Sequence, residues 1–285
     1  MDRLLDLSLR KIIRRLRRMF QQTPQLPVRV PIIAKASVIE LLGNDQYREI
    51  SQLDRHIEGE LVVQGYSMHF TDNGALFGML DEIFVRENYK FNCQSNSPTI
   101  IDCGANIGLS VLYFKLQYPD AVIHAFEPDP VAYEKLVANI EANGFEDVFT
   151  YKEAIWIEEG ELVFETDGSW GGHIGDNASS VGVTVNARKL DGLLDKHVDF
   201  LKIDIEGAES DVIMHSKELI AKNVDKLFFE WHSLTGTPQR LGEILSFLGK
   251  CGFRYHIKEA SSRPTPFIYT AGSRMDSQLD VFLWK

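Results

Sequence analysis

Beyond residue 97, short runs of apolar and β-branched residues alternate with longer segments of helical spacing. Short apolar runs bounded by turn residues are typical of buried strands, whereas apolar positions three and four apart indicate helices. The predicted strands are Thr99–Cys103, Val122–Glu127, Phe149–Ala154, Phe200–Ile205, Lys226–Glu230, Phe253–Ile257 and Val281–Trp284. The predicted helices are Leu109–Gln117, Pro130–Glu141, Glu209–Met214 and Gln239–Leu248. Such alternation predicts an α/β fold, a parallel sheet covered by helices on both faces and finished by a late pair of strands.

The chain before this alternation has a different pattern, which divides the protein into two parts. Residues 1–80 form a predicted N-terminal extension, and residues 81–285 form the main domain. Within the main domain, residues 157–190 carry several glycines between the third and fourth strands, which indicates an insertion. Short predicted strands outside the main alternation are Gly59–Tyr66, Glu161–Glu165 and Val181–Val185.

Residues 1–20 have the pattern of a basic amphipathic helix. Apolar residues recur at helical spacing along one face, and arginines fill the other. The apolar positions are Leu5, Leu9, Ile12, Ile13, Leu16 and Phe20. Three roles stay open for this helix: packing on its own domain, binding to the inner face of a membrane, or a subunit contact that would make a homo-oligomer.

Composition narrows the classes of function. The chain of 285 residues has 30 Lys and Arg against 41 Asp and Glu, a formal net charge of −11. Residues 1–20 carry +5, so the remainder carries −16. Because a nucleic-acid backbone must be neutralised by positive charge, we expect no general nucleic-acid binding. Three cysteines without metal-ligand spacing, and no apolar run of membrane-spanning length, predict a cytoplasmic location.

The segment after the first strand has the pattern of a ligand-binding turn. Asp102-Cys-Gly-Ala-Asn-Ile-Gly108 joins an apolar strand directly to a helix. Its glycines, Gly104 and Gly108, tolerate unusual dihedrals and close approach of a ligand. The second strand ends in Phe126-Glu-Pro-Asp129, where Glu127 can accept both hydroxyls of a ribose. Because neighbouring parallel strands end at the same edge of a sheet, we expect Glu127 and the glycine turn to meet.

The composition of this turn separates two classes of ligand. A dinucleotide site carries G-x-G-x-x-G to hold a pyrophosphate, but here Asn106 replaces the second glycine. An aspartate at the start of the turn, Asp102, suits the zwitterionic methionine end of S-adenosylmethionine better than a pyrophosphate. We therefore expect S-adenosylmethionine, with an NAD-dependent oxidoreductase as the weaker alternative.

Charged residues cluster where the fourth and fifth strands end. Lys202, Asp204 and Glu206 alternate along the fourth strand, and Glu230 and His232 alternate along the fifth. Charges at the carboxyl end of a central strand are costly to bury unless they are paired or functional, and ligands of open α/β sheets bind at this edge. The predicted catalytic residues are Asp204, Glu230 and His232, with His232 or Asp204 as the general base.

Two alternatives to this assignment stay open. The glycine-rich segment Trp170–Gly175 of the insertion could close over a ligand, which makes His173 a second candidate base. A divalent ion held by Asp204, Glu206 or Glu230 is another way to lower the pKa of an acceptor hydroxyl. The spacing of these residues does not indicate a metal site, so we predict none.

Three motifs together resemble the FkbM-type methyltransferases. They are Asp-Cys-Gly-Ala-Asn-Ile-Gly at 102–108, Phe-Glu-Pro-Asp-Pro at 126–130 and Leu-Lys-Ile-Asp-Ile-Glu-Gly-Ala-Glu at 201–209. The resemblance spans about Asp81 to His232 and implies a class I methyltransferase fold, a Rossmann-like seven-stranded sheet with one antiparallel strand. Carried over by position, the resemblance assigns Asp102, Gly104, Asn106 and Gly108 to the methionine end and Glu127 to the ribose. The predicted cofactor-binding set also includes Ala105 of the turn and Asp204, whose place at the sheet edge is close to where methyl donor and acceptor would meet.

The resemblance also implies a reaction. Family members commonly methylate hydroxyls on sugars or natural products, so we expect O-methylation of a small-molecule or glycan acceptor. Residues 1–80 match none of these motifs, and they leave the acceptor open. A non-catalytic nucleotide-binding or assembly protein on the same fold is the main alternative function.

Overall fold

The computed structural model describes residues 37–166, 172–174, 182–268 and 275–285. The amphipathic helix predicted at residues 1–20 lies outside them. Residues Ala34–Lys285 form one compact unit. Among the residues described, no helix is both long enough and apolar enough to cross a membrane.

A seven-stranded sheet forms the centre of this unit. Its strands, in spatial order, are β12 (Arg254–Ser261), β13 (Met275–Trp284), β11 (Lys226–Leu234), β10 (Phe200–Ile203), β3 (Thr99–Cys103), β4 (Val122–Phe126) and β5 (Val148–Tyr151). Strands β11, β10, β3, β4 and β5 are parallel, and β13 runs antiparallel to both of its neighbours. The predicted class I methyltransferase fold, with one antiparallel strand, is confirmed.

Helices lie between the strands along the chain. They are α1 (Val38–Leu42), α2 (Asn44–Ser51), α3 (Asn73–Leu80), α4 (Leu109–Gln117), α5 (Pro130–Ala142), α6 (Glu209–Asn223) and α7 (Leu241–Lys250). A π-helical turn, Asp81–Val85, continues α3, and a 3₁₀ turn, Leu190–Leu193, precedes β10. The sequence places α5 well because Asp129 caps it, its side chain accepting from the Val131 and Ala132 amides, and proline follows at the first position.

The central strands are apolar because both of their faces are covered. All four residues of β10 are buried, as are Ile100, Ile101 and Cys103 of β3. Parallel strands covered by helices on both sides have near-continuous apolar runs for this reason. The few charged side chains buried on these strands, Lys202 and Asp102 among them, therefore stand out.

Two smaller sheets flank the central one. Strands β1 (Gly59–Val63) and β2 (Tyr66–Phe70) form a hairpin, so the single strand predicted at Gly59–Tyr66 is wrong. Gln64 and Gly65 both have positive φ, 52° and 87°, and make the two-residue turn that the hairpin requires.

The second small sheet contains part of the predicted insertion. Its order is β6 (Glu153–Trp156), β9 (Val183–Lys189), β7 (Gly160–Thr166) and β8 (Gly172–Ile174). The strand predicted at Phe149–Ala154 is therefore two strands in two sheets. The chain leaves the edge of the central sheet at Lys152, and the residues that follow pair with β9 instead of continuing beside β4.

Asn139 of α5 and Asn143, which caps the C-terminus of this helix, attach the hairpin to α5. Asn139 Oδ1 accepts from the His69 amide at 2.7 Å, and its Nδ2 donates to the His69 and Ile107 carbonyls at 3.0 and 2.8 Å. One turn later, Asn143 exchanges hydrogen bonds with both backbone groups of Ser67, at 3.0 and 2.7 Å. Because Ile107 belongs to the glycine turn, Asn139 links β2 directly to the predicted ligand site. The domain boundary at residue 80 stays a prediction.

Candidate functional site

A cavity of about 1150 Å³ lies at the carboxyl ends of the central strands. Four parts of the chain supply its walls: the loops that follow β3, β4, β10 and β11, the segment before β3, the small sheet of the insertion, and the β12–β13 strand pair. The segment before β3 contributes His56, Thr71, Met79, Glu82 and Tyr89, and the small sheet contributes Glu153, Ala154, Phe164 and Val183. The cavity is thus built on the edge of the sheet where open α/β folds bind their ligands.

The glycine turn forms one wall of the cavity. Gly104, Asn106 and Gly108 all have positive φ, 87°, 47° and 90°, which favours glycine and asparagine. A Cβ atom on Gly104 would lie 1.9 Å from the backbone oxygen of Asp204, so only glycine lets the turn close against the end of β10. The amides of Gly104 and Ala105 both donate to the Phe126 carbonyl at 2.9 Å, which fixes the turn to β4.

Glu127 joins the second strand tip to this turn. Its Oε2 accepts from the Asn106 amide and its Oε1 from the Asp129 amide, both at 2.8 Å. The side chain is buried, and burial raises the pKa of Glu127 to about 7 despite these two amides. The structure therefore brings Glu127 and the glycine turn together, as the two motifs predict, and gives the carboxyl group a pKa in the physiological range.

A buried lysine connects the ends of β3 and β10. Lys202 Nζ lies 3.3 Å from Asp102 Oδ1 and 3.4 Å from Asp204 Oδ2, and it donates to the Gly104 carbonyl at 2.8 Å. The other oxygen of Asp102 accepts from the Ser110 hydroxyl at 2.5 Å. Asp102 is fully buried, whereas the Asp204 side chain is 23% exposed and lines the cavity. Of these two carboxylates, Asp204 is the one that faces the cavity.

His232 lies among carboxylates on the next strand. Its Nδ1 is 3.0 Å from Glu209 Oε1, and its Nε2 is 3.5 Å from Glu206 and 3.6 Å from Glu230. Glu209 is held in turn by the amides of Ile205 and Gly207. Burial of the imidazole opposes its charge, but Glu209, Glu206 and Asp204 overcome this and raise the pKa of His232 well above its ordinary value.

Three further acidic side chains share this environment. Burial, followed by the charge of Asp204, raises the pKa of Glu230 to about 9 and the pKa of Glu82 to about 7. Burial also raises the pKa of Asp280. Glu230 and Asp280 are direct partners across the β11–β13 pair, and Gln278 donates to Glu230. Each of these carboxyl groups therefore holds a proton to higher pH than it would in water.

Two overlapping groups of side chains are close enough to share a cation. Ligand atoms of Asp204, Glu230 and His232 lie within 4.8 Å of one another, and so do those of Glu82, Glu230 and Asp280. Oxygen-rich sets of this kind suit hard divalent ions, and an imidazole extends the choice to transition metals. In the free protein, protons and the charge on His232 already offset part of this negative charge.

Most of the predicted site residues meet at the cavity. Its wall includes Gly104, Ala105, Asn106, Glu127, Asp204, Glu230 and His232. Asp102 and Gly108 support the turn without lining the cavity: Asp102 pairs with Lys202, and Gly108 caps α4 where a Cβ atom would lie 2.8 Å from Leu136. The side chain of His173 lies outside the part of the chain whose side chains are described. The roles assigned to all of these residues stay predictions.

Several residues of the site escape sequence reasoning. Glu209 is the partner of His232, and Glu82, Gln278 and Asp280 complete the acidic wall. Gln278 and Asp280 alternate along β13 opposite His232 and Glu230, so an antiparallel partner for the fifth strand would have indicated them. Glu82 arrives from the π-helical turn, for which the sequence carries no comparable signal.

The fold and this site define a class I methyltransferase. A family model described as the methyltransferase FkbM domain matches residues 102–255. This span covers the glycine turn, Glu127 and the polar edge of β10 and β11. The chain therefore belongs to the FkbM methyltransferase family, and the predicted resemblance is confirmed.

Curated relatives agree with this membership. The chain is 30% identical over 233 residues to methyltransferase sdnD of Sordaria araneosa, an alignment that covers 68% of this chain and 88% of the relative. A shorter match of 40 residues is 48% identical to 31-O-demethyl-FK506 methyltransferase FkbM of Streptomyces tacrolimicus, covering 14% of this chain and 15% of the relative.

Among solved structures, methyltransferase FkbM from Methylobacillus flagellatus is similar to this chain. The two are 15% identical with a TM-score of 0.46, and the alignment covers 74% of this chain and 54% of that one.

Proposed function

We propose that this protein transfers a methyl group from S-adenosylmethionine to a hydroxyl of a small-molecule or glycan acceptor. One observation carries the proposal: a single cavity has the glycine turn and Glu127 on one side and Asp204, Glu206, Glu230 and His232 on another. A donor site and a set of proton-handling groups therefore face the same space.

The residues of the cavity fit S-adenosylmethionine. Glu127 is a hydrogen-bond acceptor suited to the ribose hydroxyls, and the backbone of Gly104, Ala105 and Asn106 would hold the methionine end. Apolar side chains of Ile155 and Phe164 offer contacts to an adenine ring. When bound, S-adenosylmethionine supplies an electrophilic methyl group on a sulfonium, whose positive charge the surrounding carboxylates favour.

Asp204 is the proposed general base. His232 has a pKa well above its ordinary value, so it is already protonated at neutral pH and cannot accept another proton. Glu230, with a pKa of about 9, is protonated as well. Asp204 is the remaining member of the three predicted catalytic residues, and its side chain reaches the cavity beside the Lys202 ammonium. His232 and Glu230 would then orient the hydroxyl as hydrogen-bond donors.

One relative supports oxygen as the methylated atom. The S. tacrolimicus relative is named for an O-demethylated substrate, and its 40-residue match gives a precedent for a hydroxyl acceptor. We place the reaction in the cytoplasm with no nucleic-acid partner. The proposed location rests on the sparse cysteines without metal-ligand spacing, and the lack of a nucleic-acid partner rests on the acidic composition.

The experiment that tests the proposal is a methyl-transfer assay with labelled S-adenosylmethionine and a panel of sugars, lipid-linked glycans and hydroxylated small molecules. We expect transfer to an oxygen, located by NMR of the product, and a loss of about a hundredfold or more in turnover for Asp204→Asn at saturating donor. Methylation of a nitrogen or a carbon atom would contradict the hydroxyl assignment. Full turnover by Asp204→Asn would remove Asp204 as the base.

A further inference from the structure

Lys202 places a positive charge where burial makes charge costly. The side chain is 3% exposed and comes from the centre of the sheet, on β10. An ammonium in such a position persists only when its donors and its charge are matched by acceptors and carboxylates. Lys202 has both kinds of partner: two carboxylates and one carbonyl lie within reach of its ammonium group.

The three partners of Lys202 are the end of β3, the glycine turn and the residue that follows β10. Asp102 and Asp204 supply the negative charges, at 3.3 and 3.4 Å, and the Gly104 carbonyl accepts a hydrogen bond at 2.8 Å. The aromatic ring of Tyr89 adds a fourth contact, with Nζ 5.7 Å from its centroid. Lys202 also lines the cavity itself.

We infer that Lys202 is a positioning residue of this site: its ammonium holds the glycine turn against the end of β10 and fixes the Asp204 carboxylate at the cavity wall. The inference goes beyond the proposed function and rests on it for the identity of the donor. No role in proton transfer is assigned to Lys202.

The backbone around Lys202 shows why its replacement would change the shape of the cavity wall. Gly104 touches the Asp204 carbonyl so closely that a methyl group cannot fit between them, and the Asp204 amide donates to the Cys103 carbonyl at 3.0 Å. The turn and the end of β10 are therefore in direct backbone contact. The Lys202 side chain adds a second link between them, because its ammonium contacts both the Gly104 carbonyl and the Asp204 carboxylate.

The Lys202 ammonium also neutralises the buried negative charge of Asp102 and Asp204. Asp102 Oδ1 is buried and accepts no hydrogen bond among the residues described, so its ion pair with Lys202 is its compensation. Without the ammonium, two carboxylates would remain next to each other with one source of neutralisation, a proton from solvent. Donor binding would then depend on pH in a way that a merely structural lysine would not cause.

A second buried lysine offers a matched control. Lys115 is buried like Lys202, but it donates to three backbone carbonyls, those of Ala121 and Glu146 at 2.6 Å and Pro119 at 3.3 Å. It does not line the cavity. Burial lowers the pKa of Lys115, whereas for Lys202 the Asp102 and Asp204 carboxylates overcome burial and raise the pKa. Replacing Lys115 thus removes a buried ammonium without touching the site.

The experiment compares S-adenosylmethionine binding by calorimetry for wild type, Lys202→Met, Lys202→Arg and Lys115→Met, at about pH 6 and about pH 8.5. We expect Lys202→Met to bind about tenfold more weakly at the higher pH, since a charged buried hydrogen bond is lost. The ratio to wild type should narrow at the lower pH, because solvent protons then neutralise the two carboxylates in place of the ammonium. Lys202→Arg keeps the charge but not the three contacts, so it should bind about threefold more weakly with the wild-type pH profile.

Failure of the positioning role of Lys202 and failure of the proposed function give different results in this experiment. Lys115→Met should melt at a lower temperature and bind the donor like wild type. Wild-type affinity in Lys202→Met at both pH values, or an equal loss in both methionine variants, would overturn the role of Lys202. If Lys202→Met does not fold, unchanged affinity in Lys202→Arg overturns it. A wild-type protein that binds no S-adenosylmethionine would overturn the proposed function instead.

Discussion

The imidazole of His232 is buried among carboxyl groups that favour its charged form. Its Nδ1 faces Glu209, and its Nε2 lies near Glu206 and Glu230. Sequence spacing alone presents His232 as a general base, because an ordinary histidine titrates near neutrality. The carboxylates around it change that interpretation, since a base must be unprotonated before it can act.

This environment predicts where His232 titrates. A raised pKa means that the imidazole stays protonated through pH 6.5, its ordinary value, and loses its proton only as the pH rises well beyond it. In an NMR titration of the imidazole, we expect a wild-type pKa well above 6.5. In Glu209→Gln the pKa of His232 should be lower by about 1–2 pH units, because the closest carboxylate is lost. A wild-type pKa at or below 6.5 would restore His232 as the candidate base.

The sequence indicates the site residues that belong to local motifs and misses those brought in by pairing. Asp204 and His232 are visible because polar residues alternate at the ends of apolar strands. Glu209 is hidden because it opens a helix and reads as an ordinary acidic first-turn residue. Asp280 is hidden because its place depends on the register between β11 and β13, which no local pattern encodes.

At the scale of elements, strand existence is predicted well and strand ends are not. The predicted strand Lys226–Glu230 continues to Leu234 because β13 pairs with it along its whole length. The predicted helix Glu209–Met214 continues to Asn223, since its later apolar residues, including Ile220, pack into the core below β10. Both extensions depend on tertiary partners, so helix and strand propensities alone do not predict them.

The amide contacts between α5 and β2 predict that the hairpin supports the donor site. Asn139→Ala removes a buried hydrogen bond to Ile107 of the glycine turn and two partly buried hydrogen bonds to His69. We expect about 2–3 kcal/mol of lost unfolding free energy together with weaker S-adenosylmethionine binding. Chemical denaturation and calorimetry measure the two effects.

Asn143→Ala is the matched control for this prediction. Asn143 makes the same kind of contact to Ser67 but does not reach the glycine turn through its hydrogen bonds. Its loss should reduce stability and leave donor affinity unchanged. Equal donor affinity in Asn139→Ala and wild type would contradict the coupling between the hairpin and the site.

Across the whole molecule, acidic side chains are concentrated at the cavity wall, where burial raises their pKa values. Four carboxyl groups with raised pKa values, Glu82, Glu127, Glu230 and Asp280, share the cavity wall with a charged His232. The folded protein therefore binds protons more tightly than the unfolded chain does. Self-repulsion inside this wall opposes folding as those protons are lost.

Stability should consequently fall as the pH rises from about 5 to about 9. The pKa of Glu230 is about 9 in the folded protein against 4.5 ordinarily, so between those values the unfolded chain has released a proton that the folded protein keeps. Glu230→Gln mimics the protonated form and should be more stable than wild type by about 1–2 kcal/mol at about pH 8.5. Thermal unfolding across pH checks both; greater wild-type stability at the higher pH would contradict the account.

The glycine turn and Glu127 form the proposed donor site, and calorimetric titration with S-adenosylmethionine is the decisive measurement for it. We expect wild type to bind, Glu127→Ala to lose at least about tenfold in affinity, and wild-type affinity to strengthen as the pH rises through about 7, where Glu127 ionises. NAD should show no comparable binding. Tight binding of NAD without S-adenosylmethionine, or full affinity in Glu127→Ala, would contradict the account.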